Sequence, residues 1–308
     1  MIFGAMDHCD LNPSASLADH YAARLDQVAL YDEAGFHGFH ITEHHCTPLG
    51  GGAAPTAFLA AASQRTKRLR LGAFVFVIPL NHPIKLIEEL CVVDQMSRGR
   101  LDMGFGRGSV PMELDLFGVD RDAARSIYEE GLTCILQGLS EGRVDFHGKH
   151  FNFDNVPIPL RPVQQPLPPL WYGVHSLESA EWAARKGFSI VCNEPVADSA
   201  NYVRRYREVW KDAQGGRPIG RIGLVRTVVV GDTDAQALEV AGRAYAVHNQ
   251  SFTFLHRRFG VTPKLSGTDP SFEGHAAGGR AVAGEAPRVA DYLAREMEGT
   301  GSDYCVMR

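Results

Sequence analysis

Along the chain, short runs of apolar residues alternate with segments in which apolar positions recur every three or four residues. Residues 2–6 predict a first strand, and residues 17–35 a helix stopped by Gly35. Residues 39–42 predict a second strand; Pro55, whose ring suits a first helical turn, then opens a helix towards Arg65. Residues 69–78 read as a third strand, dense in aromatic and β-branched side chains. Pro83 starts a helix with Ile84, Ile87, Leu90, Cys91 and Asp94 on one stripe. A fourth strand at 101–105 is followed by a helix over 121–139. Strands alternating with helices in this way imply a parallel sheet.

The pattern breaks at 144–169, which reads as a hairpin around His147-Gly148 followed by proline-rich coil. Alternation resumes with strands at 170–174, 188–192 and 222–230 and helices at 176–186 and 199–212. Residues 248–284, rich in Gly with Phe252, Phe254, Phe259 and Phe272 spread through them, show no period and predict a lid or a disordered loop. A helix over 287–298 and a strand at 304–307 follow, which makes eight strands. The expected architecture is α/β, a (β/α)8 TIM barrel forming a single domain over residues 1–308. It carries a hairpin and coil insertion after the fourth helix and a lid insertion after the seventh strand. No closing helix follows the eighth strand before Arg308. A shortened gene product and a flank covered by a partner subunit both stay open.

Composition narrows the class. The 308 residues are 44% hydrophobic and 22% charged, the balance of a globular protein without a membrane span. A formal charge of −5 and the lack of a basic stripe with interleaved aromatics argue against nucleic acid. Cys9, Cys46, Cys91, Cys134, Cys192 and Cys305 are scattered without a Cys-x-x-Cys pair, which suits reduced thiols in the cytoplasm. The first residues show no signal-peptide pattern.

Several polar clusters lie at or just beyond the C-terminal ends of predicted strands, the face where barrel enzymes gather their chemistry. His44 and His45 follow the second strand; histidine exchanges protons near neutral pH, and Glu43 could orient one ring. A structural pair on a loop is the plainer reading, and metal binding is disfavoured because no spaced third ligand accompanies them. Arg107 sits in Gly104-Phe105-Gly106-Arg107-Gly108, where a guanidinium can grip a phosphate; a tight βα turn explains the glycines equally well. His175, Ser176 and Ser179 fall where the fifth strand passes into its helix, a natural anion site, although Ser176 also reads as a simple helix cap. Phe74 and Val75 belong to a bulky strand that could support a flat ring or merely fill core.

Taken in order, Glu43-His44-His45, Ile78-Pro79 with His82-Pro83, the run from Asp94 to Leu101, Gly106-Arg107-Gly108, Phe117-Gly118, Trp171 to Ser176, Glu181 to Ala184 and Thr300 to Asp303 resemble the bacterial-luciferase-like flavin monooxygenases. The resemblance spans nearly the whole chain and implies FMN at the C-terminal mouth of a barrel. It implies that Arg107, Ser176 and Ser179 hold the phosphate, with at least the backbone of His175. Phe74 and Val75 match the place of a non-proline cis peptide beneath the flavin ring, and His44 matches the catalytic histidine, with His45 beside it; Glu113, which follows the phosphate turn in the chain, is a candidate second polar group. Gly106 stands where the light-emitting enzymes have cysteine, and His175 where they have glutamate, so luminescence is not expected.

The resemblance thus implies a two-component monooxygenase. Reduced FMN from a separate NAD(P)H-dependent flavin reductase would react with O2 through a C4a-peroxide to oxygenate a small organic molecule. It also implies a homodimer built on the helices of the second to fourth units, including residues 55–62. A deazaflavin-dependent dehydrogenase of the same fold and a non-catalytic flavin-binding protein are the alternatives. The substrate is not encoded in any motif.

Overall fold

The computed structural model describes residues 1–262 and 269–308. Strand β1 (Ile2–Asp7) is followed by α1 (Leu17–Glu33), β2 (Gly38–Ile41), α2 (Pro55–Arg65), β3 (Arg70–Val77), α3 (Pro83–Met96), β4 (Leu101–Gly106), α4 (Pro111–Leu116) and α5 (Ala124–Glu141). An antiparallel hairpin of β5 (Arg143–His147) and β6 (Asn152–Pro157) comes next. The remainder comprises β7 (Leu170–Val174), α6 (Leu177–Lys186), β8 (Ser189–Cys192), α7 (Val196–Ala213), β9 (Ile222–Val230), α8 (Asp234–Phe252), α9 (Phe254–Arg258), α10 (Phe272–Ala277), β10 (Ala281–Gly284), α11 (Ala286–Thr300) and β11 (Tyr304–Met307). The chain divides into two compact units, one of Leu11–Cys46 and Gly50–Leu170, the other of Met1–Asp10, Thr47–Leu49 and Trp171–Arg308.

The first of these units carries parallel β2, β3 and β4, with Phe39 opposite Leu71 and Leu71 opposite Leu101. Leu86, Ile87, Leu90, Cys91, Val93 and Asp94 form the buried face of α3, close to the predicted stripe; Ile84 lies at its edge. Fully buried Asp94 accepts hydrogen bonds from Val163 N (2.7 Å), Gln164 N (3.0 Å) and Gln164 Nε2 (2.8 Å), which fixes the coil after the hairpin. Asp32 at the end of α1 likewise accepts from Lys67 N, Arg68 N and Leu69 N at 2.6–2.9 Å and so sets the entry to β3.

In the second unit β7, β8, β9, β11 and β1 pair in that order, all parallel. Gly4 is required there, because a Cβ would lie 1.8 Å from Tyr304 Oη. Three strands in one unit and five in the other are the strand content of a (β/α)8 TIM barrel, at the positions the sequence predicts.

The segment after β9 departs from expectation. Where residues 248–284 were expected to be aperiodic, α8 continues to Phe252, α9 and α10 follow, and β10 adds a strand beside Thr227–Val230 of β9. The buried contacts of α8 are Ala237, Ala241 and Ser251, a stripe too small and too weakly apolar to stand out as a period. Residues 263–268 of that expected lid lie outside the described residues. None of the six cysteines is joined in a disulfide. Among the described residues no helix is long and apolar enough to cross a membrane.

Candidate active site

The turn after β2 holds two histidine–carboxylate pairs. His44 Nδ1 lies 3.0 Å from Glu113 Oε1, and both side chains are buried. A carboxylate accepts from N–H, so this contact places the Nδ1 proton towards Glu113 and sets the tautomer of the ring. The same Glu113 oxygen accepts from the backbone N–H of His45 at 3.2 Å. The His45 ring turns the other way: its Nε2 lies 3.0 Å from Glu43 Oε1, and its edge packs on Phe117 with ring centres 4.6 Å apart. Buried Glu43 also accepts from Val77 N (2.7 Å) and Asn81 Nδ2 (3.0 Å). Adjacent residues thus serve two networks. His45 and Glu43 tie the β2 turn to the end of β3, while His44 and Glu113 form a separate buried pair.

At the centre of β3 the Phe74–Val75 peptide is cis, where the family resemblance implies one. The pairing with β4 shifts register between Ala73 and Phe76. The His40 ring stacks on Phe74 at 3.7 Å and 6°. Burial, reinforced by His37 and Arg70, pushes the His40 imidazole down to about 3, so it is neutral and acts as a flat packing surface.

The glycines of β4 have a reason that the motif alone does not reveal. A Cβ on Gly104 would lie 2.3 Å from Ala73 O, and one on Gly106 would lie 2.3 Å from Val75 Cγ2. They admit the irregular part of β3. Arg107 follows them, exposed, and no carboxylate pairs with it among the described residues.

In the other unit, His175 follows β7 and Ser176 caps α6. Ser176 Oγ accepts from Ser179 N (3.2 Å), while Ser179 Oγ accepts from His175 N (3.1 Å) and Ser176 N (3.0 Å) and donates to Ser176 O (2.8 Å). The serines therefore form a closed capping box. Glu178 shares this helix start; its own backbone N–H and the Ser176 hydroxyl hold its carboxyl below the ordinary range. His175 Nδ1 meets Glu194 Oε1 at 2.7 Å. Burial alone would raise the Glu194 carboxyl, but the His175 contact and nearby backbone N–H groups outweigh it and lower it. Glu194 and Asn81 were not anticipated as partners. The signal for Glu194 was its place after a predicted strand, matching that of His175.

A family model described as luciferase-like monooxygenase matches residues 1–303. The chain belongs to that family. It is 36% identical over 99% of its length, and over 89% of the relative's, to the uncharacterized protein y4wF of Sinorhizobium fredii. It is 28% identical to the oxygenase component of the flavin-dependent trigonelline monooxygenase of Acinetobacter baylyi, over 74% of this chain and 64% of that one. Among solved structures, monooxygenase RslO1 from Streptomyces bottropensis matches with a TM-score of 0.90 and 26% identity, covering 100% of this chain and 92% of that one. The oxygenating constituent of 3,6-diketocamphane monooxygenase from Pseudomonas putida, solved with FMN, matches with a TM-score of 0.83 and 20% identity over 100% and 91% of the two chains. The fold is that of a TIM barrel, and the family is one of flavin-dependent monooxygenases.

Proposed function

We propose that this chain is the oxygenase of a two-component system, which takes reduced FMN from a separate NAD(P)H-dependent reductase and oxygenates a small organic substrate with O2. The observation that carries this reading is the buried His44–Glu113 pair at a strand end, in a chain whose relative is named as an oxygenase component. The FMN in the diketocamphane enzyme's structure supports the choice of flavin. The residues present fit such a group. Arg107 offers a guanidinium that no carboxylate neutralises among the described residues, and Phe74 and Val75 offer an apolar support backed by the neutral His40 ring.

Reduced FMN, when bound, supplies the two electrons that activate O2. Arg107 grips the phosphate through charge-assisted hydrogen bonds. Phe74 and Val75 support the flavin ring and keep water from it. Glu113 orients His44, whose ring holds or moves a proton at the reacting oxygen. His45 braces the turn through Glu43. His175, Ser176 and Ser179 are proposed as further phosphate ligands, a role in which the capping hydroxyls would exchange their present bonds. A cytoplasmic homodimer is proposed, and the small exposed Ala57 and Ala61 on the outer face of α2 support the dimer contact.

The test is titration of the purified chain with reduced FMN, oxidised FMN and a deazaflavin. Reduced FMN should bind most tightly. Loss of one charge-assisted contact costs about 1.5–3 kcal/mol, so Arg107→Ala should weaken binding by about tenfold or more. A preference for the deazaflavin would favour the dehydrogenase alternative, and unchanged titrations for the variant would remove Arg107 from the site.

A further inference from the structure

A second group of polar side chains gathers where β1, β9 and β11 of one unit end. Arg308 follows β11. Its Nε and Nη2 donate to Thr227 Oγ1 at 3.2 and 2.7 Å, and Nη2 donates to His275 Nε2 at 3.1 Å. The His275 ring stacks on Tyr245 with centres 4.9 Å apart, and Tyr245 in turn lies 6.0 Å from the ring of His248. His248 Nδ1 meets Asp10 Oδ2 at 3.2 Å, and the same carboxylate also acts electrostatically on Arg308 without a direct hydrogen bond to it. Arg226 is likewise balanced, by Glu296 at 2.7 Å.

Two cations remain. Among the described residues no carboxylate pairs with Arg308 or with Arg280, whose Nε donates only to the carbonyl of Asn193 at 3.3 Å. Burial, then Arg308, Arg280, His248 and Arg226, push His275 down to about 3, so it remains a neutral acceptor and adds no charge of its own. Both guanidiniums act on the His275 and Tyr245 rings; burial costs Arg308 hydration and lowers its pKa although Tyr245 and Asp10 oppose this, and a further anion relieves that cost. A planar carboxylate matches the fork of a guanidinium; Thr227 and His275 hold Arg308 through Nε and Nη2 and leave its Nη1 edge to meet such a group, while the Thr227 hydroxyl, 3.3 Å from His275 Nε2, would exchange that contact for the ligand.

We infer that Arg308, Thr227 and Arg280 form a binding site for an organic carboxylate, and that the oxygenated substrate carries that group. The word substrate rests on the oxygenase reading; the anion site does not. Strand C-terminal ends are where barrel enzymes bind their substrates, which suits the location.

The test uses the full chain without flavin, titrated calorimetrically with hexanoate and benzoate and with their methyl esters. At least one acid should bind, with its ester about tenfold weaker or worse, as for loss of one charge-assisted contact. Arg280→Gln and Arg308→Gln should each weaken the acid by a similar factor. In nuclear magnetic resonance titrations the acid should raise the pH at which His275 protonates. Arg280 lies outside β11, so R280Q keeps the test decisive if R308Q fails to fold. Equal binding of acid and ester, no binding of either acid, or undiminished binding in R280Q would overturn the site. Because flavin and O2 are absent, these outcomes are separate from the FMN titration.

Discussion

The carboxylate of Glu113 and the ring of His44 lie 69 residues apart in the chain and 3.0 Å apart in the fold. That contact gives His44 a carboxylate partner different from Glu43, which holds the His45 ring. His44→Ala should fold and bind FMN but lose oxygenated product and release more hydrogen peroxide, by roughly 10²–10⁴ in productive rate, as for loss of a proton-transfer group. His45→Ala should lower thermal stability through the Glu43 network and leave coupling largely intact. Stopped-flow flavin oxidation beside a product assay checks both variants; uncoupling by His45→Ala alone would reverse the assignment. His40 and His275 carry a second prediction. Each has a pKa near 3 when folded, against 6.5 when unfolded. The unfolded chain therefore takes up more protons below about pH 6.5, so stability should be full above that pH and fall as acid approaches 3. Urea denaturation from pH 7.5 to 5 measures this, and His40→Phe, which keeps the stack on Phe74, should flatten the slope. An unchanged slope in that variant would contradict a buried neutral imidazole.

At the scale of elements, buried carboxylates fix the chain by catching backbone N–H groups. Asp32 does so for the entry to β3, and its three backbone partners hold its carboxyl below the ordinary range although burial opposes this. Asp32→Ala leaves those three N–H groups without their acceptor and should cost roughly 2–5 kcal/mol, read as a lower denaturant midpoint at unchanged slope. An unaltered midpoint would mean water replaces the carboxylate. Strands and helices with large apolar faces, such as β3, α3 and β9, were legible in the sequence because their period is strong. The helix α8 was not, since alanines supply its buried face, and β10 was hidden beside it. The glycines of β4 were legible as a motif but not as a cause: their neighbour is β3 itself. The pairing of His175 with Glu194 depends on two strands meeting side by side, which no local pattern encodes.

For the whole molecule, family and barrel class were readable because ordered motifs run along almost all of the chain, and the match over residues 1–303 agrees. The position of Glu113 relative to His44, and the cluster around Arg308, required the fold. If the outer face of α2 forms a homodimer contact, sedimentation should show a dimer at micromolar concentration, and Ala61→Glu should shift it towards monomer; a monomer at every concentration would contradict that proposal. The most direct test of oxygenation is a single turnover with chemically reduced FMN and heavy-isotope O2, offered a panel of organic acids, aldehydes and ketones and read by mass spectrometry. The expected product carries one labelled oxygen atom and is lost in His44→Ala. A product without label, formed with a deazaflavin instead of FMN, would contradict oxygenation.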